Sequence, residues 1–111
     1  MADVDAQPGP AAAPAATLRV LRSPDASLVR REFAVGSEDV TLGRDASNTI
    51  ALPDPDVSRH HARIVRTGRS HVLVDMESTN GTSVNGRRVS EVTLRPGDKL
   101  LLGSTALVYQ A

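Results

Sequence analysis

The chain contains no cysteine and no tryptophan, and one tyrosine and one phenylalanine stand for all its aromatic residues in a length of 111. Without thiols there is neither a disulfide framework nor a thiolate metal site, so an apolar core must hold the fold, and a chain of this length builds one as a single domain. The scarcity of rings removes the stacking platforms that hold single-stranded nucleic acid. Charge of either sign is not in excess: 13 lysines and arginines face 13 aspartates and glutamates. That balance argues against general attraction to nucleic acid or to an anionic membrane, even though Arg59, Arg63, Arg66, Arg69, Arg87 and Arg88 lie within one half of the chain. No run approaches the roughly twenty apolar residues of a membrane span. The start, Met1-Ala2-Asp3-Val4-Asp5, is acidic where a secretory signal is basic, so a cytoplasmic protein is expected. Lys99 is the only lysine, and the alanine and arginine usage suggests a bacterial genome rich in G and C.

What is present divides at residue 16. Residues 1–16 hold Pro8, Pro10 and Pro14 among alanines, with Val4 as the one branched apolar side chain. Such a segment buries too little surface to offset the entropy of ordering, and it reads as a flexible tail. It has no serine, threonine or tyrosine. From Thr17 to Ala111 short apolar runs of period two alternate with turn residues: Leu18/Val20, Phe33/Val35, Val40/Leu42, Ala62/Ile64, Val72/Val74, Leu100/Leu102 and Ala106/Val108. Asn85-Gly86 is a type I′ hairpin signal, and Arg95-Pro96-Gly97-Asp98 has the order of a type II turn. The rhythm predicts an all-β domain, an antiparallel β-sandwich of about eleven short strands with its binding loops at one end.

Three turns carry most of the chemistry. Gly43-Arg44, Ser58-Arg59-His60-His61 and Ser78-Thr79-Asn80-Gly81-Thr82 supply an arginine fork, several hydroxyls and a carboxamide. These are the groups that grip a phosphate and the peptide bearing it, and none of them has to do chemistry. Duller readings exist for each: Arg44 as a solvated arginine after a strand, Ser58 capping its own backbone behind Asp54-Pro55-Asp56-Val57, and Asn80 closing an Asx turn. A metal site would need His60, His61 and His71 to converge, yet adjacent strand residues point to opposite faces. There is no nucleophile elbow and no ordered carboxylate pair, so no catalytic residue is assigned and an enzyme is not expected.

Taken in order, Leu42-Gly43-Arg44, Asn48-Thr49-Ile50-Ala51-Leu52, Val57-Ser58-Arg59-His60-His61-Ala62, Ser78-Thr79-Asn80-Gly81-Thr82, Val84-Asn85-Gly86 and the Gly97-Asp98 turn resemble a forkhead-associated (FHA) domain. That family is a β-sandwich that recognises phosphothreonine peptides, and the likeness runs from about Thr17 to Tyr109. It implies that Arg44 pairs with the phosphate, that Ser58 donates its hydroxyl and Thr79 helps hold the group, and that the Asn80 amide brackets the peptide backbone. Arg59, an asparagine in some relatives, adds charge to the rim or points to water. His61 would hydrogen-bond between loops, and Gly43, Gly81, Asn85 and Gly86 would support them through backbone geometry. The implied partner is a phosphothreonine protein made by a Ser/Thr kinase, with no cofactor, metal, nucleic acid or membrane involved. The preference for threonine over serine rests on the resemblance alone. An alternative is a phosphate-independent scaffold that binds its partner through a sandwich face or the loops.

Overall fold

The computed structural model describes residues 16–111. Eleven strands follow one another: β1 (Ala16–Arg22), β2 (Glu32–Val35), β3 (Val40–Gly43), β4 (Ile50–Ala51), β5 (Ala62–Thr67), β6 (Ser70–Asp75), β7 (Thr82–Val84), β8 (Arg87–Val89), β9 (Glu91–Thr93), β10 (Lys99–Leu102) and β11 (Thr105–Gln110). They form a six-stranded sheet in the order β2-β1-β11-β10-β7-β8 and a five-stranded sheet in the order β4-β3-β5-β6-β9. The expected sandwich is present with one departure, since β3 and β4 run parallel through Leu42↔Ile50 and Gly43↔Ala51. The first strand begins at Ala16, one residue before the expected boundary, and the rest of the expected tail lies outside the described residues. Among the described residues, no helix is long and apolar enough to cross a membrane.

The core is aliphatic. Leu18, Leu42, Ile50, Leu52, Ile64, Leu73, Leu100, Leu102 and Leu107 are fully buried, with Tyr109 as a buried aromatic ring. Most of the alternating pairs read from the sequence point inward, but β6 and β11 present the opposite face. Val72, Val74, Ala106 and Val108 are half-buried on the outside, while His71 and Leu73, and Thr105, Leu107 and Tyr109, are buried. Polar partners explain the inversion. His71 Nδ1 bonds Tyr109 Oη at 2.6 Å and Thr105 Oγ1 donates to Asp54 Oδ2 at 2.8 Å, so three polar residues enter the interior without an unpaired group.

Turn chemistry then sorts the loops to two poles. Asn85 (φ 53°) and Gly86 (φ 83°) form the tight β7–β8 hairpin, with Val84 opposite Arg87. At the same pole, Gly97 (φ 91°) closes the Arg95–Asp98 turn, where the Asp98 N–H donates to the Arg95 carbonyl at 3.0 Å. The other pole collects the β3–β4, β4–β5 and β6–β7 loops together with the Gly103-Ser104 turn, whose Ser104 N–H donates to Asp54 Oδ2 at 2.8 Å.

Candidate functional site

The β4–β5 loop is built around a buried carboxylate. Asp54 accepts from the Asp56 N–H at 2.9 Å, the Ser104 N–H at 2.8 Å and the Thr105 hydroxyl at 2.8 Å. Pinned at that point, the loop swings past Val57 and lies along the end of β3. The Arg44 N–H donates to the Ser58 carbonyl at 3.0 Å and the Asp45 N–H to the Arg59 carbonyl at 3.2 Å. Gly43 permits this approach, because a Cβ there would sit 2.1 Å from the Arg59 carbonyl oxygen. Buried Asn48 completes the seam by donating to the Asp45 and Arg59 carbonyls at 2.8 and 2.7 Å.

The β6–β7 loop has its own anchor in Asp75. Its carboxylate accepts from the Ser78 hydroxyl, the Thr82 hydroxyl at 2.7 Å and the Ser78 N–H at 3.2 Å. Burial pushes the Asp75 carboxyl up, but these hydrogen bonds outweigh it and hold the group below its ordinary value. The Ser78 oxygen in turn accepts the Gly81 N–H at 3.0 Å, which tightens the turn carrying Thr79 and Asn80.

His61 joins the two loops. Its Nδ1 accepts the Ser58 N–H at 3.0 Å, so the ring proton resides on Nε2, which donates to the Gly81 carbonyl at 2.9 Å. The ring is entirely buried. His60 is exposed beside it, and His71 lies at the other pole between Tyr109 and the Gly36 carbonyl, so the three histidines do not converge.

Above this support, Arg44, Ser58, Thr79 and Asn80 line one depression of about 130 Å³ together with Pro55, Asp56 and Val57. The Arg44 Nε donates to the Val57 carbonyl at 3.0 Å, which fixes the guanidinium and leaves its two terminal nitrogens for a ligand. The Ser58 hydroxyl accepts the Thr79 N–H at 3.0 Å and therefore keeps its own proton to give. One Asn80 amide hydrogen is spent on the Asp56 carbonyl at 2.8 Å, and the amide oxygen stays available. An anion entering here meets a fixed charged fork and a hydroxyl donor, and acceptors for a peptide lie at the rim.

Asn85 and Gly86 stand elsewhere than expected, and Arg59 takes one of its two expected positions. The Arg59 side chain is exposed and does not line the depression; its carbonyl, held by the Asp45 N–H and the Asn48 amide, ties the serine loop to β3. Asn85 braces the far pole, accepting from the Lys99 N–H at 3.0 Å and donating to Asp98 at 2.9 Å, so it supports the β9–β10 turn, and Gly86 beside it shapes the β7–β8 hairpin, not the binding loops. Gly81 does belong to the site: its φ is 84°, and the Arg88 guanidinium rests where a Cβ would be. Sequence reasoning missed Asp54, Asp75 and Ser78 as supports. Asp75 and Ser78, three apart at a strand end, carried an Asx-turn signal, whereas Asp54 between two prolines read as an ordinary loop acid.

A two-sheet sandwich whose loops converge on a small polar depression defines a loop-based binding domain. The FHA domain profile matches residues 40–103, and the chain belongs to the FHA domain family. An ABC transporter ATP-binding/permease protein of Mycobacterium tuberculosis is 41% identical over 70 residues, covering 63% of this chain and 8% of that protein. Among solved structures, one described as a structural and functional analysis of phosphothreonine-dependent FHA domain interactions superposes with a TM-score of 0.78 at 33% identity, covering 87% of this chain and 96% of that one. Mycobacterium tuberculosis EmbR in complex with a low affinity phosphopeptide gives 0.76 at 35% identity, covering 86% of this chain and 24% of EmbR. The chain spans from 14% to 63% of other curated relatives that it matches.

Proposed function

We propose that this domain binds phosphothreonine-containing proteins produced by a Ser/Thr kinase, and that it acts by binding and not by catalysis. The observation that carries the reading is the convergence of Arg44, Ser58, Thr79 and Asn80, from three separate loops, on one depression. Arg44 with free terminal nitrogens and Ser58 with a free proton suit phosphate oxygens, while Asn80 suits the peptide main chain beside them. Two structural neighbours point the same way, one concerning phosphothreonine-dependent interactions and one carrying a phosphopeptide. A cytoplasmic setting belongs to the same proposal, because protein kinases draw their phosphate from ATP.

Fluorescence anisotropy of phosphothreonine, phosphoserine and unphosphorylated peptide libraries against wild type and Arg44→Ala tests this. Affinity of micromolar order, about 8 kcal/mol, that needs both the phosphate and Arg44 supports it. Binding that survives phosphatase treatment of the ligand would transfer the function to the phosphate-independent scaffold alternative.

A further inference from the structure

The two sheets end side by side on one flank of the molecule, the six-stranded sheet at β8 and the five-stranded sheet at β9, with Ser90 alone between them. Between these edges runs a groove of about 780 Å³, much larger than the depression at the loop pole, and it contains none of the residues of that site. Its apolar part comes from Val84, Val89 and Val92, the last two packed against the core but only half-buried. Arg87 and Arg95 stand along it, both exposed.

Among the described residues neither arginine forms an ion pair. Asp98, the acidic residue lining the groove, spends one carboxylate oxygen on the Asn85 amide at 2.9 Å and the other on the Arg95 N–H at 2.8 Å. The ion pair formed among the described residues is Arg63 of β5 with Asp39 of the β2–β3 loop. The opposite flank, where the sheets end at β2 and β4, has an opening lined instead by Glu38 and Asp39. Arg87 and Arg95 thus stand at one flank opening, and Glu38 and Asp39 at the other.

The backbone of β9 adds a second kind of complementarity. The Leu94 N–H donates to the His71 carbonyl and the Asp75 N–H to the Ser90 carbonyl, which makes Val92 and Leu73 the hydrogen-bonded pair between them. By the alternation of an antiparallel ladder, the N–H and C=O groups of Glu91 and Thr93 then point away from β6, toward the open edge. Three residues of edge are too short to hold a strand by pairing alone, so an occupant needs side-chain contacts as well. Val89, Val92, Arg87 and Arg95 supply those contacts.

We propose that this groove is a second docking site, independent of phosphate, which takes an extended acidic segment of a protein partner. The segment adds to β9, sets small apolar side chains on Val89 and Val92, and pairs its carboxylates with Arg87 and Arg95.

The test uses the full chain and unphosphorylated eight-residue peptides alternating glutamate with valine. Alongside go the same peptides with lysine for glutamate, and with alternate main-chain nitrogens methylated. Amide NMR shifts on adding the glutamate peptide should fall at Arg88, Glu91, Thr93 and Arg95 and spare Ser58 and Thr79. Lysine-containing and methylated peptides should bind at least tenfold more weakly, and so should Arg87→Glu/Arg95→Glu, with an unchanged melting temperature and unchanged phosphothreonine-peptide binding. Equal binding of the lysine or methylated peptides, shifts centred elsewhere, or no binding at millimolar peptide would overturn the proposal. So would shifts at β8 and β9 that grow with protein concentration alone, since the groove would then be an interface between copies. The peptide series gives its answer on wild type even if the double variant fails to fold.

Discussion

His61 donates through Nε2 to the carbonyl of Gly81, twenty residues further along the chain, at 2.9 Å. With the Ser58 N–H on its other nitrogen, one neutral ring fixes the spacing between the serine loop and the Thr79-Asn80 loop. Replacing it by alanine leaves a donor and an acceptor unpaired around an empty buried volume. His61→Ala should lose about 2–4 kcal/mol in urea unfolding. The exposed neighbour gives the contrast: His60→Ala should stay within about 0.5 kcal/mol.

Arg44 is anchored by one nitrogen and offers the others. A charge-assisted bond of this kind contributes about 1.5–3 kcal/mol, so Arg44→Ala should weaken a phosphothreonine peptide at least tenfold while changing thermal stability little. The phosphate itself has a second pKa near 6. Affinity measured by anisotropy should therefore fall as pH drops through about 6, and a profile flat from there to neutrality would mean that the dianion is not what the depression selects.

At Gly43 the space for a side chain is occupied by the Arg59 carbonyl and the Asn48 amide. Gly43→Ala must push the serine loop away from β3, at a cost of about 1–3 kcal/mol, and peptide affinity should fall with it. Gly36→Ala is the matched control, since nothing lies within 4 Å of a Cβ there. Thermal melts of both variants, with peptide titrations, separate displacement of the loop from a generic glycine effect.

Asp75 has its carboxyl held below the ordinary value in the folded chain. Unfolding returns it to the ordinary value, so the unfolded state takes up the proton first as pH falls. The stabilisation is thus complete above the unfolded-state pKa and is lost as pH falls through the lower folded value. Asp75→Asn should destabilise the domain at neutral pH and flatten the acid limb of a stability-against-pH curve obtained by urea titration.

The convergence of Arg44, Ser58, Thr79 and Asn80 was legible in the sequence because their residue types stand in short turns between patterned strands. The buttress beneath them was not. Asp54 and Asp75 act through bonds to Ser104, Thr105, Ser78 and Thr82, and for Asp54 those partners lie 50 and 51 residues away, a separation that carries no local signal. The faces of β6 and β11 were illegible for a related reason. Both strands are apolar on either side, and the choice was made by the His71–Tyr109 and Asp54–Thr105 bonds, not by hydrophobicity. Asn85 shows the reverse error, in which a residue inside a recognised motif works at the other pole, whereas Arg59, expected at the rim or in water, is exposed and also serves through its carbonyl.

The pairing of β1 with β11 has a mechanical consequence. Thr17 lies opposite Gln110, and the ladder runs from there toward Arg22 and Ala106 at the loop pole. Tension applied to the two ends of the domain acts at one end of this ladder, across bonds that lie perpendicular to the strands. The bonds then yield one after another, as in peeling, and do not share the load as in shear. The domain is built to open readily from the pole away from its ligand, while Arg22 and Ala106, at the pole of the binding loops, are the last part of that seam to feel the pull.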